Sequence, residues 1–238
     1  MREIALVDVH SHFLPGLDDG CKTLEESLGV LRAAREQGVV RIAATPHYYS
    51  RVSVAAFLDK RQAAYEAVMG AMDPAESWPE ITLGAEVAYH AGLIYEEELP
   101  KLCYQGTNFL LLEMPFCVWT GNILRDVENL TPLHGVTPVI AHLERYMGRQ
   151  NMPMVKELLS LGFPIQINAE HVLNARPAFK LKHMLRSGQI DLLGSDCHNL
   201  TNRRPNMGDA RDRLLSWGMG EELARFCDNG SRLFDSAC

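Results

Sequence analysis

The segment Ile4-Ala5-Leu6-Val7-Asp8-Val9-His10-Ser11-His12 joins a short apolar run to polar residues that follow it directly. An apolar run with little polar alternation is typical of a parallel strand that is buried on both faces. Alternate side chains of an extended strand point to the same side, so we expect His10 and His12 to project together. The segment therefore predicts a buried strand that brings two imidazoles to one place.

The same pattern recurs along the chain, and helical stretches separate its copies. The further strand candidates are Val39–Ala44, Ile81–Val87, Phe109–Leu112, Thr137–Ala141, Pro164–Ile167 and Ile190–Leu193. The first helix is predicted by a capping box at Thr23-Leu24-Glu25-Glu26, with Gly38 as its C-terminal cap. Alternating strands and helices predict a parallel sheet. Seven repeats predict an α/β fold, a single-domain distorted (β/α)7 barrel over 1–238, with an open doubly wound sheet as the alternative.

Composition and charge exclude several classes of protein. The chain has 238 residues, with 23 Lys and Arg against 30 Asp and Glu and a net charge of −7, which argues against a nonspecific nucleic-acid binder. The N-terminus lacks the pattern of a secretory signal, and no apolar stretch approaches the roughly 18 residues of a transmembrane helix. The six scattered cysteines, with no CxxC pair, predict reduced thiols and a cytoplasmic location.

Polar residues stand where the predicted strands end. They are His10, His12, His47, Glu86, Glu113, His142, Asp196 and His198, with Asp18 and Asp19 in the loop after the first strand. A parallel barrel places its active site at the carboxyl ends of its strands, so we expect these residues to lie close together at that end. Imidazole and carboxylate suit Mn, Fe or Zn, and the set exceeds what one ion needs. Two or three ions are therefore expected, an arrangement that commonly serves phosphoester hydrolysis.

Three questions stay open at the level of single residues. Asp18 and Asp19 are adjacent carboxylates, and Arg203 and Arg204 are adjacent cations, so spacing alone does not choose between them. Cys197-x5-Arg203 also spells the pattern of cysteine-dependent tyrosine phosphatases, but the residues between lack the glycine that a phosphate cradle usually needs.

Aromatic residues near the predicted strand ends have two possible roles. Phe116, Trp119 and Tyr146 are candidates for an aromatic wall, although core packing is the alternative for most of them. Tyr48 and Tyr49 follow His47 directly and are candidates for the mouth of the site.

Four motifs resemble a known family. They are Asp8-Val-His-Ser-His-Phe-Leu-Pro-Gly-Leu-Asp-Asp-Gly20, Ala44-Thr-Pro-His47, Ala141-His-Leu-Glu-Arg-Tyr146 and Gly194-Ser-Asp-Cys-His-Asn199. In this order they are similar to the PHP (polymerase and histidinol phosphatase) superfamily, and more narrowly to its bacterial capsule and exopolysaccharide tyrosine-protein phosphatases. The resemblance runs from Asp8 to Pro205 and implies a distorted (β/α)7 barrel with three divalent ions, Mn first, with Fe, Zn or Co as alternatives.

The resemblance also implies a role for each residue. His10, His12, Glu86 and Asp196 would hold the first ion, Glu86, Glu113 and His142 the second, and Asp19, His47 and His198 the third. Arg145 and Arg203 would clamp the phosphate.

The residues predict a metal-dependent phosphomonoesterase, and the resemblance implies that it hydrolyses phosphotyrosine on a protein. That protein would be a bacterial tyrosine kinase that controls capsule or exopolysaccharide synthesis. The alternatives are a small-molecule phosphatase, such as one acting on histidinol phosphate, and a catalytically silent metal-bound module.

Overall fold

The computed structural model describes residues 4–148, 150, 152–176 and 178–236. Its strands are β1 (Leu6–Asp8), β2 (Val39–Ala44), β3 (His47–Tyr48), β4 (Glu80–Leu83), β5 (Glu86–Ala88), β6 (Phe109–Glu113), β7 (Thr137–Ile140), β8 (Gln166–Asn168) and β9 (Leu192–Gly194). The helices are α1 (Leu24–Glu36), α2 (Val54–Ala71), α3 (Gly121–His134), α4 (Glu144–Met147), α5 (Met152–Ser160), α6 (Ala169–Asn174), α7 (Phe179–Arg186), α8 (Met207–Ser216) and α9 (Gly220–Asp235). Short 3₁₀ turns stand at Leu93–Tyr95 and Leu99–Leu102.

All strand pairs are parallel and fall into three ladders, β1-β2-β4, β3-β5-β6-β7 and β8-β9. Strands β3 and β5 continue β2 and β4 after interruptions of two residues, so the continuous strand predicted at Ile81–Val87 is wrong. The interruption has a local cause, because the carbonyl of Gly84 accepts from the Arg61 guanidinium at 2.6 Å. Pro46, in the facing interruption, has no N–H to give to a ladder.

Isolated contacts connect the three ladders into a ring. Ile140 bridges to Ile165 ahead of β8, and Ser11 bridges to Cys197 beyond β9. Backbone hydrogen bonds from His12 N to Cys197 O (2.8 Å) and from Asp196 N to His10 O (2.7 Å) reinforce the second bridge. Pairing thus runs through seven strand positions and returns to the first, which confirms the predicted distorted barrel.

Two apolar clusters explain why the strands lack polar alternation. On β6, Leu110 and Leu112 join the larger cluster with the surrounding helices, while Leu111 joins a smaller one. The smaller cluster also contains Leu233 and Phe234 from the end of α9. Helix α9 therefore extends to Asp235, because its last turn closes this cluster.

The ends of α1 follow the prediction in part. The Thr23 hydroxyl accepts from the backbone N–H of Glu26 at 3.2 Å, but the Glu26 carboxylate accepts from the backbone N–H of Lys22 rather than from Thr23. Gly38 follows the helix with φ of +93°, a conformation that side chains disfavour, so a glycine is needed there.

Candidate metal centre

The Glu86 carboxylate lies at the centre of the histidines that sequence reasoning selected. It is 1% exposed, and its Oε2 lies 3.1 Å from His10 Nε2, 3.2 Å from His12 Nε2 and 3.0 Å from His47 Nδ1. Its Oε1 accepts from His142 Nε2 at 2.7 Å. Residues from four strand ends and their loops therefore meet around one buried carboxylate.

Three overlapping groups of side chains are arranged so that each could hold a cation. They are His12, Asp19, His47 and His198, then His10, His12 and Glu86, and then His47, Glu86 and Glu113. Within each group the ligand atoms lie within 4.8 Å of one another. His142 adjoins the third group, because its Nε2 is 3.5 Å from Glu113 Oε1. Asp196 adjoins the second, because its Oδ1 is 3.4 Å from His12 Nε2.

The chemistry of these atoms fits divalent cations. The Nε2 atoms of His10 and His12 point at each other at 3.1 Å. Buried Glu86 Oε2 and His198 Nε2 have polar neighbours at 3.0–3.3 Å, but neither makes a hydrogen bond of suitable geometry with the described residues. Buried polar atoms normally have partners, so converging unpaired acceptors indicate a place for a cation.

Adjacent Asp18 and Asp19 have different surroundings. Asp18 Oδ2 accepts from His12 Nδ1 at 2.7 Å and from the backbone N–H of His47 at 2.8 Å, so it orients two histidines from behind. Asp19 Oδ1 lies 3.5 Å from His47 Nε2 and 3.3 Å from His198 Nε2, on the cluster side. The structure thus places Asp19 among the candidate ligands and Asp18 behind them.

Asp196 contacts two arginines. Its Oδ2 is hydrogen-bonded to Arg145, and its Oδ1 accepts from Arg203 at 2.8 Å. Arg204 instead turns away to Asp209 at 2.7 Å. Both site arginines have side chains about one-third exposed, 33% and 31%, so their guanidinium groups can reach a ligand at the mouth.

Two candidate ligands have a strained backbone. His142 and Asp196 are the non-glycine residues with positive φ in the described part of the chain, at +33° and +53°. Such conformations cost of order 1–3 kcal/mol each and gather at functional sites. The strain turns both side chains into the cluster directly after β7 and β9.

Sequence reasoning missed a supporting layer on β8. Gln166 Oε1 accepts from the backbone N–H of His142 at 2.7 Å, and its Nε2 donates to Asn168 Oδ1 at 2.9 Å. Asn168 in turn donates to Asp196 Oδ2 at 2.8 Å. The sequence shows only that Gln166-x-Asn168 repeats the two-residue spacing of the histidine pair of β1, and for neutral side chains this spacing does not by itself indicate a site.

A second missed residue is Asp8. Its Oδ1 accepts from the backbone N–H groups of Ser195 (2.8 Å) and His10 (3.2 Å), which ties the end of β9 to that of β1. Burial raises the pKa of Asp8 to about 6.

The titrating groups of the centre are strongly perturbed without metal. Burial alone would lower the pKa of His12, but its hydrogen bond to Asp18 and the negative charge of Glu86 outweigh burial and raise that pKa to about 10. The pKa of His142 rises to about 9 in the same way, against its burial, through Glu113 and Glu86. Burial opposes the charge on Glu86, but the surrounding histidines hold its pKa well below the ordinary value. Protons thus stabilise the negative charge that a cation would otherwise neutralise.

Cys197 does not have the surroundings of a nucleophile. The residue is 1% exposed, belongs to the larger apolar cluster, and burial raises the pKa of its thiol well above the ordinary value. A reactive thiolate needs a lowered pKa and access to solvent. The geometry therefore favours the histidine and carboxylate cluster over Cys197 as the reactive centre.

The aromatic candidates divide into core and rim. Tyr48, Trp119 and Tyr146 are buried, at 2%, 2% and 0% exposure. Tyr49 is 37% exposed and stacks on His47 with ring centroids 5.3 Å apart. Phe116 is 46% exposed and lies parallel to His142 at 6.5 Å. Two exposed rings therefore border the cluster.

The fold and the site together define a distorted (β/α)7-barrel protein with a histidine- and carboxylate-rich centre at the carboxyl ends of its strands. Within the described residues, no helix has both the length and the apolar character needed to cross a bilayer. The chain belongs to the capsular polysaccharide synthesis CpsB/CapC family, whose sequence model matches residues 6–235.

Named relatives extend over nearly the whole chain. It is 30% identical over 244 residues to the tyrosine-protein phosphatase CpsB of Streptococcus agalactiae, covering 96% of this chain and 98% of the relative. It is also 30% identical over 230 residues to the tyrosine-protein phosphatase YwqE of Bacillus subtilis, covering 92% and 87%.

Solved structures agree on the fold. One described with the metal-dependent tyrosine phosphatases YwqE of B. subtilis and CpsB of Streptococcus pneumoniae superposes with a TM-score of 0.81 at 23% identity, over 98% of this chain and 96% of the other. An organophosphorus hydrolase from Deinococcus radiodurans superposes with a TM-score of 0.56 at 16% identity, over 98% and 93%.

Proposed function

We propose that this protein is a metal-dependent protein-tyrosine phosphatase that hydrolyses phosphotyrosine on a protein substrate. The observation that carries the proposal is the meeting of nine histidine and carboxylate side chains and two arginines at one end of the barrel, in a chain whose relatives are named tyrosine phosphatases. We further propose that 1–238 forms one catalytic domain.

We assign the metal ligands as three overlapping sets, with Mn as the native ion and Fe, Zn or Co as alternatives. The sets are His10, His12, Glu86 and Asp196, then Glu86, Glu113 and His142, and then Asp19, His47 and His198. Divalent ions held there would polarise phosphoryl oxygens and lower the pKa of water toward neutrality. Glu86, in contact with four histidines, is the residue shared between sets.

Arg145 and Arg203 are the proposed phosphate-binding residues. Both guanidinium groups rest on Asp196, which holds them side by side at the mouth of the site. A planar guanidinium suits bidentate contact with phosphate oxygens and stabilises the charge that spreads over them during transfer. In this role the arginines orient the phosphoryl group and act as catalytic residues.

Two features support phosphotyrosine as the substrate class. Tyrosine has a pKa of about 10, so its phenolate leaves with less help from a general acid than an alkoxide needs. The exposed rings of Tyr49 and Phe116 border the cluster and offer apolar contact to an aryl group. We propose a bacterial tyrosine kinase of capsule or exopolysaccharide synthesis as the protein substrate, which fits the family. The cytoplasmic location stays a prediction.

The test is phosphate release after metal removal and reloading. Protein stripped with a chelator is reloaded separately with Mn, Fe, Zn or Co, and given a phosphotyrosine peptide, a phosphoserine peptide or histidinol phosphate. We expect release from the phosphotyrosine peptide to vanish on stripping and to return with metal. Preference for histidinol phosphate would show that the substrate is this small molecule rather than phosphotyrosine. If no compound released phosphate, a catalytically silent metal-bound module would be favoured.

A further inference from the structure

A cavity of about 380 Å³ opens beside the candidate cluster, between the loop after β1 and the start of α2. We name it the α2 cavity. Asp19 and His47 form the wall on the cluster side, while Arg51 and Lys60 line the cavity from the loop before α2 and from α2 itself. Its volume lies in the range of pockets that bind small ligands, about 300–1,000 Å³.

The wall toward α2 is positively charged. Arg51 lies over the ring of Tyr49, with its guanidinium carbon 4.9 Å from the ring centroid. Among the described residues, neither Arg51 nor Lys60 forms an ion pair with a carboxylate. Helix α2 begins beside the cavity, has 18 residues and carries no acidic side chain in its first turn. The positive end of its dipole adds to these two cations.

The acidic side chains of the opposite wall already have partners. Asp18 accepts from His12, from the backbone of His47 and from the backbone of Gly20. Asp19 faces His47, His198 and Arg203. In a chain with a net charge of −7, the α2 cavity therefore presents cations that its surroundings leave unpaired.

We propose that the α2 cavity is a peptide subsite that binds an acidic side chain adjacent to the phosphotyrosine of the substrate. The inference rests on the proposed function, because the phosphate must occupy the neighbouring cluster for the flanking residue to reach Arg51 and Lys60. Tyr49, Val52 and Phe57 give the cavity an apolar surface for the stem of that residue or for the tyrosyl ring.

The experiment measures binding, so that it does not depend on turnover. Labelled peptides carry phosphonomethyl-phenylalanine, which is not hydrolysed, flanked by glutamates in one peptide and by glutamines in the other. Their dissociation constants for the Mn-loaded protein are measured by fluorescence anisotropy at low and high salt. We expect the glutamate peptide to bind about tenfold more tightly at low salt, with the ratio falling as salt screens the exposed charges.

Variants locate the effect. Lys60→Glu and Arg51→Glu should each reduce the ratio by three- to fivefold, since exposed ion pairs contribute modestly. The matched control is Arg213→Glu, which changes the net charge equally in the last turn of α8, away from the cavity lining. Lys60→Gln removes the positive charge without reversing it, and a thermal melt of each variant shows whether it is folded.

The outcomes separate this inference from the proposed function. Equal binding of the two peptides, or an equal loss of the ratio in Arg213→Glu, would overturn the subsite. Hydrolysis of a phosphotyrosine peptide is measured in parallel on the Mn-loaded wild-type protein. Its failure beside an intact glutamate preference would refute the phosphatase and leave the subsite standing.

Discussion

Replacing Asp18 by asparagine tests the distinction between the two adjacent carboxylates. The Asp18 carboxylate accepts from three N–H groups, those of His12 and His47 at Oδ2 and that of Gly20 at Oδ1. Asparagine has the shape of aspartate but only one accepting oxygen and no charge, so one of these donors faces its NH2 group and the hydrogen bond from His12 loses its charged acceptor. Asp18 and His12 are both buried, with side-chain exposures of 5% and 0%, so water does not replace the lost contact. We expect Asp18→Asn to weaken metal binding without removing a ligand.

Two independent estimates give the magnitude. A hydrogen bond to a charged group contributes about 1.5–3 kcal/mol, and the His12–Asp18 contact at 2.7 Å is of that kind. Loss of a residue that orients a metal-bound histidine typically costs 10–100-fold in metal affinity, which is about 1.4–2.7 kcal/mol. Both estimates predict that Asp18→Asn raises the metal dissociation constant by about 10–100-fold while turnover at saturating metal survives.

The assay is metal titration by calorimetry, with phosphate release measured at saturating metal. Asp19→Asn is the matched comparison, because Asp19 faces His47 and His198 directly and supplies the anionic ligand of that group. We expect Asp19→Asn to lose one equivalent of bound metal. The reverse order, with stoichiometry lost in Asp18→Asn and kept in Asp19→Asn, would refute the assignment.

Three further predictions follow from other parts of the site. Gly194→Ala would place a Cβ 2.6 Å from the Cβ of buried His10, so we expect about 1–3 kcal/mol of destabilisation and weaker metal binding, measured by denaturant unfolding and metal titration. Cys197→Ser should keep most phosphatase activity, measured with a phosphotyrosine peptide, because the buried thiol is not the nucleophile. The metal-free protein should melt at a lower temperature as pH rises from 7 to 10. The pKa values of His12 and His142, raised to about 10 and 9, stabilise the fold below pH 6.5, and this contribution is lost as pH rises through those values.

Each of these predictions has its own control. Gly70→Ala, in a helix where an added Cβ meets nothing within 4 Å, should stabilise the protein slightly. Activity of the wild-type protein that survives chelation but is lost in Cys197→Ser would restore the cysteine mechanism. Bound Mn should raise the melting temperature more at pH 9 than at pH 6, because ligating imidazoles must be neutral. If the melting temperature of the metal-free protein rose between pH 7 and pH 10, the argument from the pKa values of His12 and His142 would be wrong.

The barrel was predictable because burial on both faces leaves a plain trace in the sequence. Leu110, Leu111 and Leu112 pack to alternate sides of β6, and both sides are apolar. The break after β4 was not predictable, since it depends on Arg61 of α2 reaching the carbonyl of Gly84. The full length of α9 was hidden for a similar reason, because its last turn is stabilised by packing against distant strands.

The candidate ligands were predictable because the carboxyl ends of parallel strands meet at one end of a barrel. The residues on β8 that support these ligands were not predictable. Gln166 and Asn168 are neutral, and nothing in their type indicates a site until β8 lies beside Asp196. The choice between Asp18 and Asp19 depends on how a loop turns, which spacing does not specify. The resemblance to a family pointed to Asp19, and the contacts in the structure place it at the cluster.

The bridge between Ser11 and Cys197 has a consequence for how the protein is made. The rings of His12 and His198 lie 4.0 Å apart, yet they come from opposite ends of the chain. At translation rates of about 5–20 residues per second, roughly 10–40 s pass between synthesis of the first of these histidines and synthesis of the second. A nascent chain on the ribosome therefore carries an incomplete centre for most of its synthesis, and the complete set of ligands exists only once the last strand has been made.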